Sequence, residues 1–190
     1  MEAGPFPLTF DVAYPQQLSR GLIFVKWLLA IPHYIFVNAL NGVQAVILLI
    51  AFFAILFTQR FPRALFDFVV NVGRWNANVG AYILLMRDEY PPFDLAAGKY
   101  PVTYEIAYPE TLSRWLVLVK WLLALPHILV LWFLYMATFI VLTVAWFAIL
   151  FTRQFPRGLF DFQVGVLRWT YRVNAYLYLM RDEYPPFTLS

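Results

Sequence analysis

Two histidines are the residues in this sequence whose chemistry best suits ligand binding. His33 and His127 are the only histidines, and each follows a proline inside a long apolar run. An ionisable side chain in such a run is a candidate for function, and a symmetric pair could bind a haem, a pigment or the head of a quinone. A structural role is the simpler interpretation, because the proline frees a backbone carbonyl that an imidazole N–H can satisfy.

Two acidic pairs are the next candidates. Asp88-Glu89 and Asp182-Glu183 could serve as general acid and base or bind a cation. Each pair directly follows an arginine, so a structural ion pair is the favoured interpretation. The chain has no cysteine, no glycine-rich phosphate loop and no metal-ligand spacing. The sequence therefore predicts no enzyme, no resident cofactor and no metal site.

The elements that must position these residues are two long apolar stretches. Trp121 to Phe151 contains no formal charge, and a matching stretch lies between Ser19 and Arg63. A run of at least about 18 apolar residues is typical of a membrane-spanning segment. The chain is 62% hydrophobic and 13% charged, against roughly 45–50% and 25% in soluble domains. We expect an integral, multi-pass protein of the cell membrane.

The chain also contains a tandem repeat. Tyr14-Pro15 returns as Tyr108-Pro109, an offset of 108 − 14 = 94, and this offset continues to the C-terminus without a gap. The string MRDEYPPF occurs at Met86–Phe93 and again, unchanged, at Met180–Phe187. The repeat predicts two pseudo-symmetric units, residues 1-96 and 97-190.

Each unit is predicted to contain three kinds of element. A short strand is indicated by alternating polar and apolar residues at Leu8 to Ala13 and Val102 to Ala107. The apolar stretch follows, and then an amphipathic helix over Pro62 to Met86 that we expect to lie in the membrane interface. The predicted class is an all-α membrane protein in which each unit has a strand, a transmembrane helical hairpin and this interfacial helix.

The hairpin is predicted from length and charge. Leu18 to Phe57 would form a helix of about 60 Å, twice the hydrocarbon thickness. A turn at residues 38–42 would give four short spans and place all 14 Lys and Arg on one side, whereas single spans divide them seven and seven. The one-sided distribution fits the positive-inside rule and predicts cytoplasmic termini. The alternative lays Leu18 to Ile31 flat and spans the membrane once, with His33 to Phe57.

Basic residues flank the apolar stretches and form a stripe on the amphipathic helices. Asp67 and Asp161 interrupt the basic stripe. We therefore attribute the net charge of +3 to contacts other than nucleic acid, and we predict no nucleic-acid partner. We expect contact with lipid headgroups or with a partner subunit. The residues predicted to make it are Arg20, Lys26, Arg63, Arg74, Arg114, Lys120, Arg157, Arg168 and Arg172.

These motifs resemble a known group of proteins. YPxxLSR, KWLLAxPH, FAILFT, FPRxLFDF, RW and MRDEYPPF are similar to the signature of a prokaryotic membrane family, domain of unknown function 4389. The resemblance covers residues 9–95 and 103–189. It implies a small multi-pass membrane protein and no activity. The first unit departs from the usual pattern at four polar or small residues of its apolar run and at Ala64, where the pattern has glycine: the four are Asn38, Asn41, Gly42 and Gln44.

Three functions are consistent with the sequence. The first is a non-enzymatic scaffold or accessory subunit that contacts lipids and other membrane subunits or itself. The second is a small transporter or channel-like protein with a path between the units, lined by Lys26, Lys120, His33 and His127. The third is cofactor binding by the histidine pair. The N-terminal residues 1–5 have no basic region or cleavage site, so no signal peptide is predicted.

Overall fold

Two copies of one helix-rich unit follow each other along the chain. The computed structural model describes residues 6–190, so the predicted lack of a signal peptide concerns residues outside the described part. The elements of the first unit are β1 (Leu8–Val12), α1 (Leu22–Leu29), α2 (Ile31–Thr58) and α3 (Arg63–Ile83). Those of the second unit are β2 (Val102–Ile106), α4 (Leu116–Leu123), α5 (Leu125–Thr152) and α6 (Arg157–Leu177).

The strands lie within the two segments of alternating residues. β1 and β2 pair with each other in antiparallel orientation, with Phe10 opposite Tyr104. Alternate side chains are buried and exposed along both strands, because successive residues of a strand point to opposite faces. One face of this two-stranded sheet is therefore apolar and packed, and the other presents Thr9, Asp11 and Glu105 to solvent.

Neither long apolar segment turns at the predicted position, so the hairpins about residues 38–42, with their four short spans, are wrong. Residues 38–42 lie in the middle of the 28-residue helix α2, and α5 is equally continuous. A helix satisfies every backbone group locally, and the cost of about 1 kcal/mol for a glycine such as Gly42 is too small to break one. With α1, the apolar helical segment spans the 37 residues Leu22–Thr58, interrupted at Ala30 just before Pro32.

The amphipathic helices α3 and α6 form the centre of the molecule. Their apolar faces carry buried residues such as Phe66 and Trp75, and each packs on the long helix of its own unit. Their other side is covered by a strand of the opposite unit, since β2 packs on α3 and β1 packs on α6. We call β1 and β2 the exchanged strands. The two units therefore interlock, and the predicted boundary at residues 96/97 falls between α3 and β2.

A pseudo-two-fold axis relates the two units. The amide of Leu18 donates to the carbonyl of Arg153, and the amide of Leu112 donates to that of Gln59, both at 2.8 Å. These two bonds are equivalent under the offset of 94, because 112 − 18 = 94 and 153 − 59 = 94. The start of each long helical segment therefore lies beside the end of the other.

The long helices form the outer surface of the molecule. Only 22% of the most apolar 18-residue stretch of each long helix is buried. The buried side chains form a narrow stripe, which in α2 includes Val37, Ile47 and Ile55. Large apolar side chains cover the rest, and Phe57 is 74% exposed. Among the described residues, these two 37-residue helices are long and apolar enough to cross a membrane.

Candidate functional site

In each unit, the candidate histidine, lysine and acidic pair converge on one cluster. We call it the latch cluster. It joins α1, the start of α2, the middle of α3 and the segment after α3. Its members in the first unit are Lys26, His33, Trp75 and residues 87–93. Its members in the second unit are Lys120, His127, Trp169 and residues 181–187.

The lysine of the latch cluster is internal. Lys26 is 2% exposed, and its Nζ donates to the carbonyl of Arg87 at 2.7 Å. The same Nζ lies 2.7 Å from Oδ1 of Asp88 and 5.0 Å from the ring centroid of Tyr82. Lys120 makes the equivalent contacts in the second unit. A buried ammonium group is tolerated only with such a counter-ion, so this lysine acts inside the fold.

The acidic pair ties the latch cluster to the chain entering the unit. Oδ2 of Asp88 accepts the amide of Ser19 at 2.5 Å, and Arg87 donates to the carbonyl of Ala13 at 2.7 Å. Arg87 also forms an ion pair with Glu89 at 2.5 Å. Partial burial raises the pKa of Glu89, but the hydrogen bonds and charge of Arg87 outweigh it, so the pKa lies below its usual range. These contacts agree with the structural interpretation of the acids.

The histidine is enclosed by aromatic rings. Nδ1 of His33 accepts a hydrogen bond from Nε1 of Trp75 at 3.1 Å, and the imidazole stacks on Phe93 with centroids 4.1 Å apart. His127 has the same two contacts in its own unit, with Trp169 at 3.1 Å and Phe187 at 3.9 Å. Because Nδ1 accepts, the proton of a neutral imidazole resides on Nε2, which is buried in both units. Neither ring has a face open to a planar cofactor.

A tyrosine completes the cluster at the bend before the proline. The hydroxyl of Tyr90 donates to the carbonyl of Leu29 at 3.0 Å, and Tyr184 does the same to Leu123. The expected bond between the imidazole N–H and a carbonyl freed by the proline is not formed within residues 6–190, because Nε2 has no hydrogen-bond partner and Nδ1 accepts from a tryptophan. The tyrosine binds the carbonyl of Leu29, not that of Leu28, which lies four residues before Pro32. Sequence reasoning missed Tyr90 and Trp75. The exact repetition of MRDEYPPF was the signal for the first, and the repeated RW pair was the signal for the second.

The predicted contact residues divide into internal and surface groups. Arg74 is buried and pairs with Glu105 of the exchanged strand at 3.0 Å, and Arg172 is also buried. Arg168 is partly buried and donates to the carbonyl of Phe10 at 3.0 Å. With Lys26 and Lys120, these residues bind parts of this chain or are enclosed by it. The residues that remain exposed are Arg20, Arg63, Arg114 and Arg157.

One cavity of about 1040 Å³ is lined by β1 of the first unit and by residues of α6 and the C-terminal segment of the second unit. Asp11, Arg168, Arg172 and Glu183 line it together with the C-terminal residues. Burial, followed by the charge of Arg168, lowers the pKa of Arg172 from its ordinary value. Neither histidine lines this cavity. Within residues 6–190, no three metal-ligating side chains come close enough to hold an ion.

Comparison with known families supports the repeat. The model of the family described as Domain of unknown function (DUF4389) matches residues 20–94 and again residues 114–188. The chain belongs to this family. The two matches confirm the tandem copies, and each contains a complete latch cluster, whereas the exchanged strands lie outside both matches. No curated protein and no solved structure matches the chain.

Proposed function

We propose that the protein is an integral membrane protein without enzymatic activity, which serves as a scaffold or accessory subunit of a membrane complex. One observation carries the proposal: both long helices leave most of their apolar surface uncovered. Exposed apolar patches beyond a few hundred Å² mark surfaces that contact lipid or other proteins. Lipid and neighbouring subunits are the expected partners of this surface.

The aromatic residues support the same placement. Trp27, Trp115 and Trp121 are each more than 60% exposed and lie at or near the starts of the two long helices. Tryptophan is favoured where a membrane surface meets water, since its ring is apolar and its N–H is polar. Each square ångström of apolar surface removed from water contributes about 25 cal/mol, so these helices gain stability on entering a membrane.

The latch clusters support a structural role over chemistry. Their Lys, Asp and His side chains bind partners within the same unit. Each Lys-His set is enclosed by the aromatic and acidic residues of its own unit. Among residues 6–190, these contacts favour packing within a unit over a transport path between the units. The stacking of each imidazole on a phenylalanine likewise favours packing over cofactor ligation.

The proposal is tested by purification. Cells expressing the tagged chain are fractionated, the membranes are washed with carbonate, and the protein is isolated in mild detergent. We expect the protein to resist the wash, to be colourless, and to copurify with a stoichiometric membrane protein. Release by carbonate would contradict membrane insertion, absorption in the haem region would contradict the lack of a cofactor, and recovery with lipid alone would contradict an accessory role.

A further inference from the structure

We propose that the protein lies in a single leaflet, with its pseudo-two-fold axis along the membrane normal, and does not cross the bilayer. This inference rests on the membrane insertion proposed above and adds its geometry. The embedded surface is formed by α1, α2, α4 and α5. The outer face of the sheet lies on the aqueous side.

The sheet fixes the direction of the axis. Phe10 and Tyr104 are equivalent residues of the two units, and they lie opposite each other in the antiparallel pair. The two-fold axis of an antiparallel pair of equivalent strands passes between them and runs perpendicular to the sheet. The polar and apolar faces of the sheet therefore point in opposite directions along the axis.

The ends of each long segment lie at one level along this axis. Leu18 is hydrogen-bonded to Arg153 at 2.8 Å, and Arg153 is the symmetry mate of Gln59. A two-fold rotation leaves height along the axis unchanged, so Leu18 and Gln59 have nearly the same height. The apolar segment between them therefore enters and leaves at the same level.

The length of residues 18–30 limits how far the apolar segment can extend along the axis from the level of Leu18. The farthest point that the segment can reach lies near Ala30, because α2 must return from there to the level of Gln59. The eight residues of α1 rise about 12 Å, and residues 18–21 extend at most about 14 Å. The resulting depth of at most about 26 Å is less than the hydrocarbon thickness of about 30 Å.

The opposite orientation would bury charge in hydrocarbon. If the axis lay in the membrane plane, the long helices could cross, but the centre of the sheet would then lie at mid-bilayer. The side chains of Asp11 and Glu105 are 65% and 56% exposed and would face lipid there. Each charge at that depth costs about 2.5–3.5 kcal/mol by insertion measurements. With the axis along the normal, both carboxylates face water.

The exposed arginines fit the single-leaflet orientation. Arg20 and Arg114 lie within two residues of Leu18 and its mate, and Arg63 and Arg157 lie within four residues of Gln59 and its mate. Symmetry gives the two arginines of each pair the same height, and both pairs lie close along the chain to the level of Leu18 and Gln59. Anionic lipid phosphates at the rim of the embedded surface are the ligands that suit them.

Two symmetry mates test the orientation. Gln16 and Glu110 are both exposed, and the chain has no native cysteine. Gln16→Cys and Glu110→Cys are made separately and treated with a membrane-impermeant maleimide, in spheroplasts and in inside-out vesicles. We expect both to react from the same side of the membrane. Labelling from opposite sides would overturn the inference, since an axis in the membrane plane places the mates on opposite sides.

A third site tests crossing directly. Asn38→Cys, on the exposed side of α2, should remain unlabelled from the membrane side opposite to that of Gln16→Cys, and labelling there would overturn the inference. Labelling after denaturation is the control for thiol reactivity. The carbonate wash separates the two proposals. Release of the protein contradicts both, whereas a wash-resistant protein with mates on opposite sides contradicts only the single-leaflet orientation.

Discussion

At the scale of single residues, the latch cluster shows why a charged lysine can occur in an apolar helix. Lys26 lies in a helix otherwise made of Leu, Ile, Val, Phe and Trp, yet a carbonyl, a carboxylate and an aromatic ring surround its ammonium group. These contacts compensate the loss of hydration. The charge thereby holds α1 to the segment after α3.

We expect Lys26→Met to lower the stability of the protein strongly. The substitution keeps an apolar stem but leaves Asp88 without its cation, and removing one partner of a buried pair costs about 3–5 kcal/mol. Thermal unfolding in detergent, followed by tryptophan fluorescence, measures the change. Lys99→Met is the matched control, because Lys99 pairs with Asp94 at the surface and such a pair contributes at most about 1 kcal/mol. Equal unfolding temperatures for the two variants would contradict the internal role.

Stability should also fall in acid through Glu89 and Glu183. Partial burial raises the pKa of each carboxyl, but hydrogen bonds and charge from the neighbouring arginine bring it below the ordinary 4.5. A group with a lowered folded pKa stabilises the fold fully above its unfolded pKa, and this contribution disappears as pH falls through the folded value. Unfolding temperature measured from pH 7 to pH 3 should therefore decrease below about pH 4.5. The double variant Glu89→Gln, Glu183→Gln should flatten this decrease, and an unchanged slope would contradict the assignment.

At the scale of elements, the segments that cover the central helices pack closely on them at two glycines. A Cβ added at Gly73 of α3 would lie 2.6 Å from the hydroxyl of Tyr104 on β2. In α6, a Cβ at Gly165 would lie 2.8 Å from the backbone oxygen of Leu189. Glycine at these two positions therefore permits the approach of a covering segment.

We expect Gly73→Ala to destabilise the protein by about 1–3 kcal/mol, because the new methyl group forces the buried Tyr104 ring to move. Gly158→Ala is the control. Its Cβ meets open space, and the first unit already has Ala64 there, so the helix should gain up to about 1 kcal/mol. Chemical denaturation of both variants measures the difference. A neutral Gly73→Ala would show that β2 does not press on α3.

At the scale of the whole molecule, the exchange of strands makes each unit dependent on the other. The ring centroid of Phe10 in the first unit lies 4.8 Å from that of Tyr171 in the second, and the ring centroid of Tyr104 lies 5.2 Å from that of Tyr171. An isolated second unit would expose this surface of α6. In the full chain β1 covers this surface, and β2 is the equivalent strand of the second unit. In a dimer of isolated second units, β2 of one copy can therefore cover α6 of the other.

We therefore expect residues 97–190, expressed alone, to form a symmetric dimer in which β2 pairs with its own copy about Tyr104. Light scattering in detergent gives the mass, which is compared with the mass of the full chain measured in the same detergent. A Phe or Tyr side chain is a large part of such an interface, so Tyr104→Ser in the fragment should shift it toward monomer or unfolding. A folded, monomeric fragment of unchanged sequence would contradict the interlocked arrangement.

Local sequence was sufficient for most elements. Alternation at Leu8 to Ala13 located β1, amphipathic spacing located α3 within a few residues, and the apolar stretches located the long helices. The turn predicted at residues 38–42 was wrong. The apolar sequence on both sides of these residues is helical, and this outweighs the local turn propensity of the asparagines and the glycine. The site was only partly predictable. The candidate histidines, lysines and acids were named, but their partners lie up to 69 residues away.

The sequence by itself determined the duplication, the family and the order of elements, since all three depend on local pattern and on identity at a fixed offset of 94. Only the tertiary structure decided that the strands pair across units and that Leu18 and Gln59 lie at one level along the axis. These are long-range hydrogen bonds and packing contacts. The physical reason is that a strand or helix signal specifies which face is apolar but not which distant surface covers it.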